Sequence, residues 1–201
     1  MFKLLLATNN PGKLEEMQAL LADLDLELLT PRMLGLSLEV EENGETYAEN
    51  AQLKAVAFGR ASNLVTMADD SGLEVDALGG APGLHSARYA PQSGASDADR
   101  RAYLLSNLQG KDLPWLARFR CMICLVTPTG QVHFSEGICP GEIIQQERGH
   151  NGFGYDPIFL LPELGLTMAE LRMDEKNRLS HRARAVIAAR PVLLNLLQNR
   201  A

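Results

Sequence analysis

The 201-residue sequence predicts an α/β fold built on a mixed sheet. Two observations carry that expectation. Strand-like apolar runs alternate with segments of helical periodicity in the first half of the chain, and a hairpin signal appears later.

Residues 2–7 read as a strand. Asn10 followed by Pro11 reads as an N-cap and first helical position. Leu14, Met17, Leu20, Leu21 and Leu24 then recur at helical spacing, which predicts a helix over 12–22. Residues 26–29 form a short strand closed by Thr30-Pro31, and an acidic loop follows over 39–45. Thr46-Tyr47-Ala48-Glu49 has capping-box spacing and opens a helix to about Arg60, with Ala51, Ala55 and Phe58 inward. Residues 64–68 predict a strand that ends on Asp69-Asp70-Ser71-Gly72. A Gly- and Pro-rich stretch over 79–83 precedes a helix that starts at Ser96 and ends near Gly110. Two strands, 117–126 and 131–136, flank the turn Thr127-Pro128-Thr129-Gly130, and 138–144 continues the sheet. Residues 149–157 are too rich in glycine for a regular element. Thr167-Met168-Ala169-Glu170 repeats the capping-box pattern, and the rest reads as helical with a break at Arg190-Pro191.

Composition sets limits on function. Hydrophobic residues make up 46% and charged residues 22%, ordinary globular usage that speaks against disorder. Lys plus Arg is 19 and Asp plus Glu is 25, a net charge of −6. That balance argues against non-specific nucleic-acid binding and against an anionic membrane surface, both of which want a basic face. No run approaches the roughly 20 apolar residues of a membrane span, and the N-terminal apolar run is too short for a signal peptide. The sequence therefore predicts a single cytoplasmic domain over 1–201. Three cysteines do not make a disulfide framework. Cys121 and Cys124 form a C-x-x-C on a predicted strand, where residues three apart point to opposite faces and cannot share a metal.

Four segments carry chemistry. In Thr8-Asn9-Asn10-Pro11-Gly12-Lys13 a strand runs into a helix N-terminus, whose free N–H groups and positive dipole end favour an anion. Lys13 in the first turn opposes that dipole unless an anion sits beside it. Walker A spacing is absent. Asp69 and Asp70 are adjacent carboxylates suited to Mg²⁺ or to general-base work, with an Asx turn as the plain alternative. Glu41-Glu42 can add a metal ligand or be a solvated acidic loop. In 149–156, glycines allow close backbone approach to a ligand, and Phe153 and Tyr155 offer flat faces on which a base stacks. Lys176, His181 and Arg182 supply donors, or form a basic helix face.

These motifs, in this order, resemble the dITP/XTP (inosine triphosphate) pyrophosphatase family, which acts on non-canonical purine nucleoside triphosphates. The resemblance rests on 7–13, on Glu41-Glu42-Asn43-Gly44 leading to Glu49-Asn50-Ala51, and on Ala68-Asp69-Asp70-Ser71-Gly72-Leu73. It extends through 78–83, Gly152-Phe153-Gly154-Tyr155-Asp156-Pro157 and Glu175-Lys176-Asn177-Arg178-Leu179-Ser180-His181-Arg182, nearly the whole chain. It implies a long central mixed sheet, two lobes flanking a nucleotide-binding cleft, a homodimer and Mg²⁺-dependent release of pyrophosphate. It further implies Asp70 as proton acceptor, and Glu41 with Asp70 as metal ligands. Substrate contacts are implied at Thr8, Asn9, Asn10, Pro11, Gly12, Lys13, Ser71, Phe153, Gly154, Tyr155, Asp156, Lys176, His181 and Arg182. A Maf-type pyrophosphatase would carry a paired basic motif that 9–13 lacks.

Overall fold

Leu4, Leu5 and Leu6 are all buried, so β1 (Phe2–Leu6) is covered on both faces. Burial on both faces is what a parallel strand flanked by helices requires. β1 pairs in parallel with β2 (Leu26–Leu29) and with β3 (Val65–Val75). The remaining strands are β4 (Trp115–Val126), β5 (Val132–Ile143), β6 (Phe159–Leu161) and β7 (Leu166–Thr167). The computed structural model describes residues 1–198, and their strands form one sheet in the order β2-β1-β3-β4-β5-β6-β7. The β5–β6 and β6–β7 pairs are antiparallel, so the sheet is mixed, as the sequence predicts. The helices are α1 (Pro11–Leu21), α2 (Tyr47–Ser62), α3 (Asp97–Leu108), α4 (Met173–Leu179) and α5 (His181–Gln198).

The chain divides into two compact units. The first holds Met1–Asp70, Cys121–Gly137 and, among the described residues, 182–198. Its strands carry a separate core on each face. Leu4, Leu6, Val65 and Met67 pack with Met17 and Leu21 of α1 and with Ala185, Val186, Ala189 and Leu193 of α5. Leu5, Ala7 and Ala68 pack with Ala51, Ala55 and Phe58 of α2. Period-two alternation sorts the side chains between these cores. Cys121 falls in the first and Cys124 in the second; both are buried free thiols, as their spacing predicts. The second unit, Ser71–Arg120 and Ile138–His181, has one core. Leu73, Leu104, Leu108, Trp115, Phe119, Ile143, Phe159 and Met168 meet there.

Two expectations need correction. β3 does not stop at Ala68. It runs unbroken through Asp69-Asp70-Ser71-Gly72 to Val75, because both carboxylates find partners inside the fold and nothing forces a turn. Helix α5 does not break at Pro191, which sits inside it. Ala185, Val186, Ala189 and Leu193 are buried around that position, and their packing outweighs the hydrogen bond that proline cannot make.

Candidate active site

The first group of candidate side chains lies in the first unit, where β1 gives way to α1. Asn10 caps α1: its Oδ1 accepts from the Lys13 N–H at 3.0 Å, and Pro11 takes the first turn. The cap directs Lys13 inward, and its Nζ lies 2.9 Å from Asp69 Oδ2. The anion that the dipole argument demands beside Lys13 is thus Asp69. The same Oδ2 lies 3.5 Å from Arg182 Nη2, and Arg182 also bonds to the buried Glu16 of α1. Burial alone raises the Asp69 carboxyl, but the Lys13 and Arg182 charges outweigh it and hold the group well below the ordinary carboxylate range. Burial works against the Arg182 cation too, yet Glu16 and Asp69 pin it in the charged form. Cys121 Sγ sits 3.8 Å from Asp69 Oδ2, and burial together with that carboxylate keeps the thiol protonated.

Asp70 follows Asp69 on the strand and so faces the other way, with Ala68, toward α2. Asn50 and Lys54, one helical turn apart on α2, both reach it. Asn50 Nδ2 donates to Asp70 Oδ2 at 3.1 Å, and Lys54 Nζ lies 3.9 Å from Asp70 Oδ1. Asn50 Oδ1 accepts from the Gly44 N–H at 2.8 Å, tying the acidic loop to the same point. Lys54 also pairs with Glu42 at 2.9 Å. Glu41, beside it, is exposed. The net effect on Asp70 is opposite to that on its neighbour. Burial raises its carboxyl above the ordinary value, and the charges of Lys54 and Lys13 with the Asn50 hydrogen bond offset this only in part.

The second group lies in the second unit. The 149–156 loop is pinned to the chain at 169–171: His150 and Asn151 donate their N–H groups to Ala169 O, and Asn151 Nδ2 donates to Leu171 O. At its centre Asp156 Oδ2 accepts from the Phe153 N–H at 2.9 Å and from Lys176 Nζ at 2.5 Å, with Asp156 and Lys176 both buried. The Lys176 ammonium lies 5.2 Å from the Phe153 ring centroid, a cation–π distance. Phe153 is half-buried. Tyr155 does not offer a face: its ring belongs to the core, and its hydroxyl donates to Ser86 O at 2.9 Å. His181 is stacked on Phe119 with centroids 4.7 Å apart. Ser71 lies within β3, half-buried.

Gly152 shows how tightly this loop is drawn. Its φ is +75°, and a Cβ there would lie 2.1 Å from Asp156 Oδ2. Gly152→Ala is therefore expected to expel Asp156 from its bond with Lys176 and lower the melting temperature. A thermal melt equal to wild type would show that the loop relaxes without cost.

Comparison with known proteins shows the family. The Ham1 family model matches residues 4–192. The chain belongs to the Ham1 family. The dITP/XTP pyrophosphatase of Desulforamulus reducens is 45% identical over 195 residues, 96% of each chain. The enzyme of the same name from Nostoc sp. is 46% identical over 200 residues, 98% of this chain and 97% of its own. Among solved structures, a HAM1 protein from Coxiella burnetii superposes with a TM-score of 0.88 at 40% identity, covering 97% of this chain and all of its own.

In this Ham1 chain the structure gathers Lys13, Asp69 and Arg182 around one carboxylate oxygen, and Asp156, Lys176 and Phe153 around another. It adds three residues to which the motif reading gave no role. Glu16 left a signal, since it is a charged residue on the inward face beside Met17. Asn50 and Lys54 left one too, as polar residues one turn apart beside the inward Ala51 and Ala55. None of the three announces its partner in the sequence, because each partner is remote along the chain.

Proposed function

We propose that the chain acts as one Mg²⁺-dependent pyrophosphatase domain over 1–201, hydrolysing dITP, ITP and XTP to the monophosphate and pyrophosphate. The observation that carries this reading is Asp70, a buried carboxylate held by Asn50 and Lys54, with the acidic loop tied to the same point through Glu42 and Gly44. The names of the curated relatives support the substrate class. The site fits a hard divalent cation. Among the described residues no cluster of three or more His, Cys, Asp or Glu forms a metal cage. Mg²⁺ needs none, since it takes one or two carboxylates and completes its shell with water and substrate phosphates. Glu42 is neutralised by Lys54, which leaves Glu41 as the open carboxylate to serve with Asp70. Bound there, Mg²⁺ would neutralise the triphosphate and align it.

The chain's own residues do the rest. The α1 N-terminus, with Thr8, Asn9, Asn10, Pro11, Gly12 and Lys13, takes the phosphate charge, and Ser71 adds a hydroxyl. Asp70 accepts the proton of the attacking water. The water oxygen bonds to the α-phosphorus, the bond from that phosphorus to the β-bridging oxygen breaks, and pyrophosphate leaves. Phe153 stacks on the base, while Gly154, Tyr155 and Asp156 shape the loop that presents it, with Lys176 beneath. The backbone at His181 and Arg182, where α5 begins, donates to a 6-oxo group, which inosine and xanthine carry and adenine lacks, while the buried Arg182 side chain stays on Glu16 and Asp69. The protein works as a homodimer in the cytoplasm, without nucleic-acid or membrane partners. No described helix is long and apolar enough to cross a membrane.

The product identifies the bond that is cut. With dITP and Mg²⁺, ³¹P NMR is expected to show monophosphate and pyrophosphate appearing together, and neither without the metal. Diphosphate with orthophosphate would mean attack at the γ-phosphorus. Binding without turnover would make the chain a nucleotide-binding module.

A further inference from the structure

The 149–156 loop is held from a second side, by a helix that the reading above does not use. α3 begins at a capping box in which Ser96 and Asp99 satisfy each other, and this fixes the direction of its first turn. Asp97 and Arg101, one turn apart on α3, share a face. Both reach Gly154. Asp97 Oδ2 accepts from the Gly154 N–H at 2.8 Å, and Arg101 Nη1 donates to Gly154 O at 2.8 Å. The two peptide groups that flank this residue are thereby fixed, one at each end.

Each clamping side chain is itself held. Asp97 pairs with Arg100, whose guanidinium also bonds to Ala95 O at 2.6 Å. Arg101 forks onto Glu147 with Nε and Nη2 at 2.8 and 2.9 Å, just before the loop begins. Gly154 has φ +62°, and nothing lies within 4 Å of the place a Cβ would take. Its backbone groups are committed to α3, and its outer side is open. The Gly154 N–H is therefore already spent, and one lone pair of its C=O is taken by Arg101. The adjacent Phe153 ring inherits its direction from the clamp, while Asp156 fixes the Phe153 N–H from the opposite side.

We propose that Asp97 and Arg101 are positioning residues that set the Phe153 ring for base stacking by clamping the backbone of Gly154. The proposal rests on the base-platform reading of Phe153. Stacking holds the base in the ground state and the transition state alike, so a misdirected ring raises KM and leaves kcat.

A double-mutant cycle tests it on the full-length enzyme with dITP and Mg²⁺. Asp97→Ala is expected to raise KM about tenfold with kcat within about twofold of wild type, the size of a lost base stack. Asp97→Asn keeps an oxygen for the Gly154 N–H and should restore most of the loss, although it lacks the charge that favours the start of α3. Arg101→Ala, on a partly exposed fork, should act in the same direction. In a Phe153→Ala background, Asp97→Ala should add less than about twofold, because its effect passes through the missing ring. Additive effects, or a loss confined to kcat or melting temperature, would overturn the clamp. If Phe153→Ala raises KM and Asp97→Ala does not, the clamp falls alone. If Phe153→Ala itself leaves KM unchanged, the base platform falls and takes the clamp with it.

Discussion

Asp70→Asn is expected to lower kcat for dITP by a factor on the order of 10² or more while the fold persists. The amide keeps the shape and still offers an oxygen to Asn50 Nδ2, but it neither accepts a proton nor attracts a cation. Burial already disfavours the charge at this position, so removing it costs the apo protein little and can stabilise it. Loss of turnover with an unchanged or higher melting temperature is the expected pair of results. Steady-state kinetics and a thermal melt on the same preparation check both. Normal turnover would move the proton acceptor elsewhere.

Asp69→Asn is expected to show the opposite profile. Its carboxylate neutralises Lys13 and Arg182 inside the fold. Removing one partner of a buried ion pair costs about 3–5 kcal/mol, and the lower end applies because Glu16 still neutralises Arg182. At about 2–4 °C per kcal/mol for a chain of this size, the melting temperature should fall by roughly 6–12 °C. The folded Asp69 ionises at lower pH than the unfolded one, so its stabilisation is complete above the unfolded value, about 3.9, and fades as pH drops through the folded one. The gap in melting temperature between wild type and Asp69→Asn should therefore narrow below about pH 4. A constant gap down to pH 2 would mean that the pair contributes through shape and not through charge. Its partners make Asp69 a stability residue.

Local signals in the sequence were reliable where the cause is local. The Asn10 cap, the α3 boundaries and the opposed faces of Cys121 and Cys124 each follow from a few neighbouring residues, and each is observed. Failures came where a remote contact overrides a local rule. Two acidic residues and a glycine end a strand unless buried cations receive the acids, and those cations lie on α1, α2 and α5. Proline ends a helix unless the helix is held by its core, as at Pro191. Tyr155 read as a platform because its residue type suits stacking, but Ser86 takes its hydroxyl and the core takes its ring. In each case the sequence names the chemical group, and the fold decides which way it faces.

The opposed faces of Asp69 and Asp70 make chain length itself part of the chemistry. Remove one residue between Val65 and Ala68 with the start of the strand held in place, and every later side chain changes face. Asp70 would then meet Lys13 and Arg182, and the hydroxyl of Ser71 would stand before Asn50. The cations stay neutralised and the proposed proton acceptor is gone. Insert one residue instead, and Asp69 turns to Asn50 while the methyl of Ala68 meets the two cations. The acceptor is kept and the scaffold loses its counter-charge. Shortening and lengthening β3 by the same step therefore fail in different ways, one by silencing the site and the other by loosening the fold.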